Sequence, residues 1–137
     1  LLALAATIHT NRREIAAGDF FTGLFSTALD EGEIITAVSF EAPEACGYAK
    51  FPNPASRYAM TGVFVAKAGG AVRVAVTGAG SDGVFRHEGL EQALSKDWSA
   101  AAVDGVKISA EGLMSDIHCD AAYRANLIRA MAKRALA

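Results

Sequence analysis

The sequence predicts an α+β fold: a small antiparallel sheet of three to four strands, including a β-hairpin, packed against C-terminal helices. Three observations carry this. The stretch from Val63 to Thr77 reads as two β-rich arms around Gly69-Gly70. The segment after Asp120 repeats apolar residues at helical spacing. Strand-like segments precede the helical ones instead of alternating with them, which favours an antiparallel sheet covered on one face.

The opening run Leu1-Leu2-Ala3-Leu4-Ala5-Ala6 is apolar. It lacks the basic region and full-length apolar core of a signal peptide, so it reads as the end of a buried element. Position 1 is leucine and the chain starts abruptly in apolar sequence. A preceding segment is therefore expected, with residues 1–18 belonging to a neighbouring domain and residues 19–137 as one compact domain.

Glu33-Ile34-Ile35-Thr36-Ala37-Val38-Ser39-Phe40 is rich in β-branched residues and ends before Pro43, so it is a strand. Tyr48-Ala49-Lys50-Phe51 is a second short strand, with Cys46-Gly47 as the turn before it and Pro52 and Pro54 stopping it. Asn53-Pro54 marks a loop. In the second arm of the hairpin Val72, Val74 and Val76 point one way, and Arg73, Ala75 and Thr77 the other. Gly69-Gly70 can take the positive φ that a tight hairpin demands.

After the glycine-rich break Gly78-Ala79-Gly80-Ser81-Asp82-Gly83, Leu90, Ala93 and Leu94 suit a short helix. Ser99 is placed to cap another through Val103. In the last helix Asp120 is the N-cap, and Tyr123, Leu127, Ala130 and Met131 share a face. Arg129, Lys133 and Arg134 sit late in it, where positive charge complements the helix dipole.

The 137 residues are enough for one ordinary domain without disulfide staples. With 52% hydrophobic and 20% charged residues the composition is that of a globular protein, and no stretch reads as membrane-spanning. A net charge of -2 leaves no basic footprint for nucleic acid or anionic lipid. Cys46 and Cys119 are far apart and suggest neither a disulfide framework nor a zinc knuckle, so reduced thiols and a cytoplasmic location are expected.

The residue types that could carry chemistry form no catalytic set. Residues 78–83 follow a strand and could cradle a phosphate through backbone N–H groups, but their spacing is neither Gly-x-Gly-x-x-Gly nor a Walker motif, so a structural turn is expected. His118, Cys119 and Asp120 are metal-capable, yet three adjacent residues rarely face one ion. They read as a helix start. His9 and His87 have no nucleophile with which to pair. Asp30-Glu31-Gly32-Glu33 reads as a solvated turn before a strand, and Arg124, Arg129, Lys133 and Arg134 as a solvated helix face. A hydrolase built on His118 or on the acidic turn would need a partnered nucleophile that the sequence does not show.

Several strings in succession resemble one family. They are Asp19-Phe20-Phe21-Thr22-Gly23, Thr27-Ala28-Leu29 leading into Glu33-Ile34-Ile35-Thr36-Ala37-Val38, Tyr48-Ala49-Lys50-Phe51, Asn53-Pro54-Ala55-Ser56-Arg57-Tyr58-Ala59, the hairpin, and Ala122-Tyr123-Arg124 with Lys133-Arg134-Ala135. Their order and spacing are similar, over nearly the whole chain, to the C-terminal domain of the FAD-binding medium subunit of molybdenum hydroxylases. This is the xanthine dehydrogenase and aerobic carbon monoxide dehydrogenase family. Tyr58-Ala59-Met60 stands where the xanthine-oxidising branch has Asp-Ile-Ala, so the carbon monoxide dehydrogenase-like branch matches better.

The resemblance implies an oxidoreductase piece: a flavoprotein that takes electrons from an iron–sulfur small subunit while a molybdopterin large subunit oxidises substrate. It implies that FAD is held mainly by glycine-rich loops that are not in this chain. It also implies that this domain lends Ile35 and Lys50 to one side of the isoalloxazine, and that the 137 residues alone are colourless and inactive. A lysine ammonium there would favour negative charge on a reduced flavin. A non-catalytic protein-interaction module is the alternative, docking through the hairpin edge or the apolar start.

Overall fold

The computed structural model describes residues 1–137. After a 3-10 turn at Leu2–Leu4, the chain forms β1 (Thr7–Thr10), β2 (Glu14–Ala16), α1 (Ala17–Phe20), β3 (Phe21–Gly23), β4 (Ser26–Thr27) and β5 (Ile35–Ser39). It continues through β6 (Ala45–Pro52), β7 (Ala59–Ala68), β8 (Ala71–Gly80) and β9 (Gly83–Arg86). α2 (Glu88–Lys96), a 3-10 stretch at Ala100–Gly105 and α3 (Ala121–Ala135) close it.

The fold is α+β. Its main sheet has the order β6-β7-β8-β9, every pair antiparallel. In the β7–β8 hairpin Ala68 pairs with Ala71, so Gly69 and Gly70 alone make the turn, at φ 56° and 74°. Both angles lie in the region that glycine enters without a Cβ penalty. The alternation read in β8 holds: Val72, Val74 and Val76 are buried, whereas Thr77 is exposed.

Those valines, with Val63 and Val65 of β7, meet Leu90 and Leu94 of α2, Val103, and Ile128 and Met131 of α3 in one apolar core. Each such side chain contributes roughly 1.5–3 kcal/mol relative to an exposed position. Glu91 of α2 seals the sheet where β9 ends. One of its carboxylate oxygens accepts from Val74 N at 3.0 Å, and the pair is clamped by Arg86 at 2.7 and 2.6 Å.

α3 begins as the sequence predicts, with Asp120 accepting from Tyr123 N at 2.7 Å. Its buried ridge includes Arg124, Leu127, Ile128, Met131 and Ala135, whereas Tyr123 is 45% exposed and meets Phe51 of the sheet edge-on. Cys46-Gly47 is part of β6 and not a turn. The strand is longer than composition suggested because α3 lies on it: a Cβ at Gly47 would overlap the Ala135 carbonyl oxygen. Glycine is required there for approach, not for flexibility.

A second, three-stranded sheet of order β2-β1-β5 has its own small core of Ala6, Ile8, Ile15, Ala17 and Phe20. The buried apolar residues therefore fall into two clusters. β1 pairs with β2 on one side and with β5 on the other, so segments from both sides of residue 18 share this sheet. The apolar N-terminal run packs as expected of a buried element, with Ala3 and Ala6 each at 1% exposure.

Candidate functional site

Side chains of β6 alternate. Cys46, Tyr48 and Lys50 are exposed on the outer face of the main sheet, whereas Ala49 and Phe51 pack toward the core. Pro52 and Pro54 end the strand, and the loop that follows is built on Asn53. The buried Asn53 side chain accepts from Ala55 N at 2.9 Å and Ser56 N at 3.1 Å, while its backbone bonds to Tyr58 and Arg57. Arg57 sits at φ 65°, in the left-handed region. Its carbonyl consequently turns toward β6 and accepts from Lys50 Nζ at 2.9 Å. An ammonium carries three donors, so two N–H groups of Lys50 remain free.

Ile35 lies on the other sheet. It opens β5, an edge strand whose five residues are all exposed. Ile34, Val38 and Phe40 beside it are also exposed, Ile34 and Phe40 at 64% and 54%. Both expected flavin-side residues are thus accessible, on different sheets.

The glycine-rich stretch is a turn. β8 runs to Gly80 and β9 starts at Gly83. Gly78, at φ 76°, is pressed against the Ala59 carbonyl, and Ser81 N is taken by Gly112 O at 2.9 Å. With the Ser81 N–H taken and Gly78 held against a backbone carbonyl, the stretch is a structural turn between β8 and β9.

Two residues read as solvated are buried. Glu33 accepts from both Arg13 Nε and a terminal guanidinium nitrogen at 3.0 Å, from Thr10 Oγ1 at 2.7 Å and from Asp30 N at 2.8 Å. The Arg13 guanidinium, above all, lowers its carboxyl to about 2. This ties β5 to the β1–β2 hairpin. Arg124 is 1% exposed, donates to the carbonyls of Met60 and Gly78 (2.9 Å to the latter), and pairs with Asp116. Its Nε has no partner. The signal missed was register: position 124 falls with Ile128 and Met131, not with the outer face.

The histidines are structural. His9 bonds to Ser39 at 2.7 Å and Glu14 at 3.1 Å, and His87 caps α2 by accepting from Leu90 N. His118 Nε2 lies 3.4 Å from Asn53 Nδ2. Burial raises the Cys119 thiol above its ordinary value, and the N–H groups of His118 and Cys119 hold the Asp116 carboxyl below its own. The segment before α3 is a tied-down helix start.

In fold, the chain is similar to a chain of a known oxidoreductase. It superposes on a chain of quinoline 2-oxidoreductase from Pseudomonas putida 86 with a TM-score of 0.76 and 24% identity, covering 98% of this chain and 52% of that one. In sequence it is 28% identical over 152 aligned positions to the carbon monoxide dehydrogenase medium chain of Hydrogenophaga pseudoflava. That alignment covers 98% of this chain and 53% of the relative. The chain therefore spans about half the length of these relatives. No family model matches it. The resemblance to the C-terminal domain of the FAD-binding subunit of molybdenum hydroxylases is borne out. No helix is long and apolar enough to cross a membrane.

Proposed function

We propose that this chain is the C-terminal domain of a flavoprotein subunit that relays electrons from iron–sulfur clusters through FAD in a molybdenum-containing oxidoreductase. The observation that carries this is the similarity to a carbon monoxide dehydrogenase medium chain over 98% of the chain. The partners in this reading are an iron–sulfur small subunit and a molybdopterin large subunit, in the cytoplasm.

The residues present fit one side of a flavin ring and not its pyrophosphate. Lys50 is exposed, with its stem on β6 and its head steadied by the Arg57 carbonyl, and Ile35 offers an accessible apolar contact. Residues 78–83 form a turn without the glycine spacing of a dinucleotide- or nucleotide-binding loop. FAD, when bound, supplies one- and two-electron exchange. The role of Lys50 is to hold a positive charge beside the ring and favour added negative charge there. In this reading residues 1–18 are the tail of the preceding N-terminal FAD-binding domain, and residues 19–137 are the C-terminal domain.

The test is a titration of the 137-residue chain with free FAD, followed by visible absorbance, beside the full gene product. The expected result is a colourless short chain and a flavin-containing full product, in which Lys50→Ala lowers the flavin reduction potential and Lys50→Arg largely preserves it. Tight binding of FAD by the short chain would show that the binding determinants are misplaced. A full product with no flavin would refute the reading. It would favour instead an interaction module, for which the exposed apolar side chains Ile34, Ile35, Val38 and Phe40 are the supporting observation.

A further inference from the structure

A cavity of about 310 Å³ lies at the β9 edge of the main sheet, three strands away from Lys50, between the β8–β9 turn and the loop that precedes α3. Phe85 and Ile108 give it an apolar floor backed by the fully buried Ile128, His87 and Ser109 add polar lining, and Asp82 and Glu111 stand exposed at its rim. The far wall is fastened to the sheet rather than loose. Ser81 N and Oγ both donate to Gly112 O, at 2.9 and 3.0 Å, and Met114 N donates to Ala79 O at 2.9 Å.

The polar groups have a definite sense. His87 Nδ1 accepts from Leu90 N at 3.2 Å, which puts the ring proton of the neutral imidazole on Nε2. That N–H has no partner in the protein and is a free donor. Burial lowers the His87 pKa below its ordinary value, outweighing a backbone hydrogen bond and the Glu91 charge, so the ring is neutral near pH 7. Neither Asp82 nor Glu111 takes part in any ion pair. A cavity with an apolar body and a few converging polar groups has the make-up of a small-molecule site.

We infer that this cavity binds a small aromatic ammonium compound, its ring on Phe85 and Ile108, its cationic head between Asp82 and Glu111, and an acceptor oxygen facing His87 Nε2. An anionic ligand meets two unpaired carboxylates and is repelled. A bare hydrocarbon leaves all three polar groups unmatched. The site is independent of the flavin reading and would stand if that reading failed.

The test is a titration of the ¹⁵N-labelled chain with three probes, following backbone amide shifts. Tyramine has both the cation and the acceptor oxygen, phenethylamine lacks the oxygen, and 4-hydroxyphenylacetate replaces the cation by a carboxylate. Tyramine is expected to move the amides of Gly83, His87 and Gly112 saturably, with a dissociation constant of about 1 mM or tighter. Phenethylamine should bind more weakly and 4-hydroxyphenylacetate not at all. The double variant Asp82→Asn/Glu111→Gln, checked for an unchanged melting curve, should weaken tyramine by roughly tenfold, and salt should weaken it in the parent. Shifts that do not saturate, equal binding of the carboxylate probe, or undiminished affinity in the double variant would each overturn the assignment.

Discussion

Replacing Arg124 by methionine, which has similar length and no charge, removes three hydrogen-bonding contacts made inside the protein. The Met60 carbonyl lies in the β7 strand and the Gly78 carbonyl at the irregularity in β8, and both lose their guanidinium partner. A buried polar group left unpartnered costs about 1–3 kcal/mol. Against this, methionine relieves the one buried nitrogen that lacks a partner, Arg124 Nε, and avoids desolvating a charge. Asp116 is 36% exposed at its side chain and can be rehydrated, so its half of the pair adds little. The sum is a loss of roughly 3 kcal/mol, with about 5 as an upper bound. For a domain of this size it lowers Tm by about 10–15 °C. Urea unfolding followed by circular dichroism measures it, with Asp116→Asn as the companion variant expected to lose under about 1 kcal/mol. If Arg124→Met were within about 1 kcal/mol of the parent, the carbonyl-bridging role would be refuted, since burial without bonding would then explain the residue.

Gly47→Ala forces the Ala135 carbonyl away from β6, and overpacking of this kind costs about 1–3 kcal/mol, readable as a lower urea midpoint with an unchanged slope. Asp120→Ala removes the cap of α3 and should cost about 1 kcal/mol by the same assay, with Asp120→Asn near neutral. Glu33 has a folded pKa lowered from 4.5 to about 2, so its contribution is present above its unfolded value and is lost as pH falls from about 4.5 toward 2. Acid titration of stability should therefore be steep in that window for the parent and flatter for Glu33→Gln, and equal slopes would contradict the ion pair with Arg13. A flavin-free spectrum for the purified 137-residue chain completes the set.

The hairpin, the Asp120 cap and the order of strands before helices were legible because each rests on local rules: positive φ at paired glycines, side-chain capping, period two against period three and a half. What could not be read depended on which distant segment arrives. Gly47 looks like turn punctuation until the end of α3 is known to occupy the place of its Cβ. Arg124 and Glu33 look solvated because charge is normally exposed, and only the carbonyls of residues 60 and 78, or the guanidinium of residue 13, make their burial tolerable. The second sheet was hidden because β1 and β2 are only four and three residues long. For the candidate site, Ile35 and Lys50 came from family likeness alone. The hydrogen bond from Lys50 to the Arg57 carbonyl depends on a left-handed residue whose type, arginine, carries no such signal.

β6 has one further consequence, for solubility. It is the outermost strand of its sheet and is eight residues long, so its unpaired edge is a template on which another strand could grow. Its exposed side chains Cys46 and Tyr48 would not discourage that, and the only charge along it is Lys50. Whatever Lys50 does for a cofactor, it also gates aggregation, repelling a second copy that tries to pair in antiparallel register.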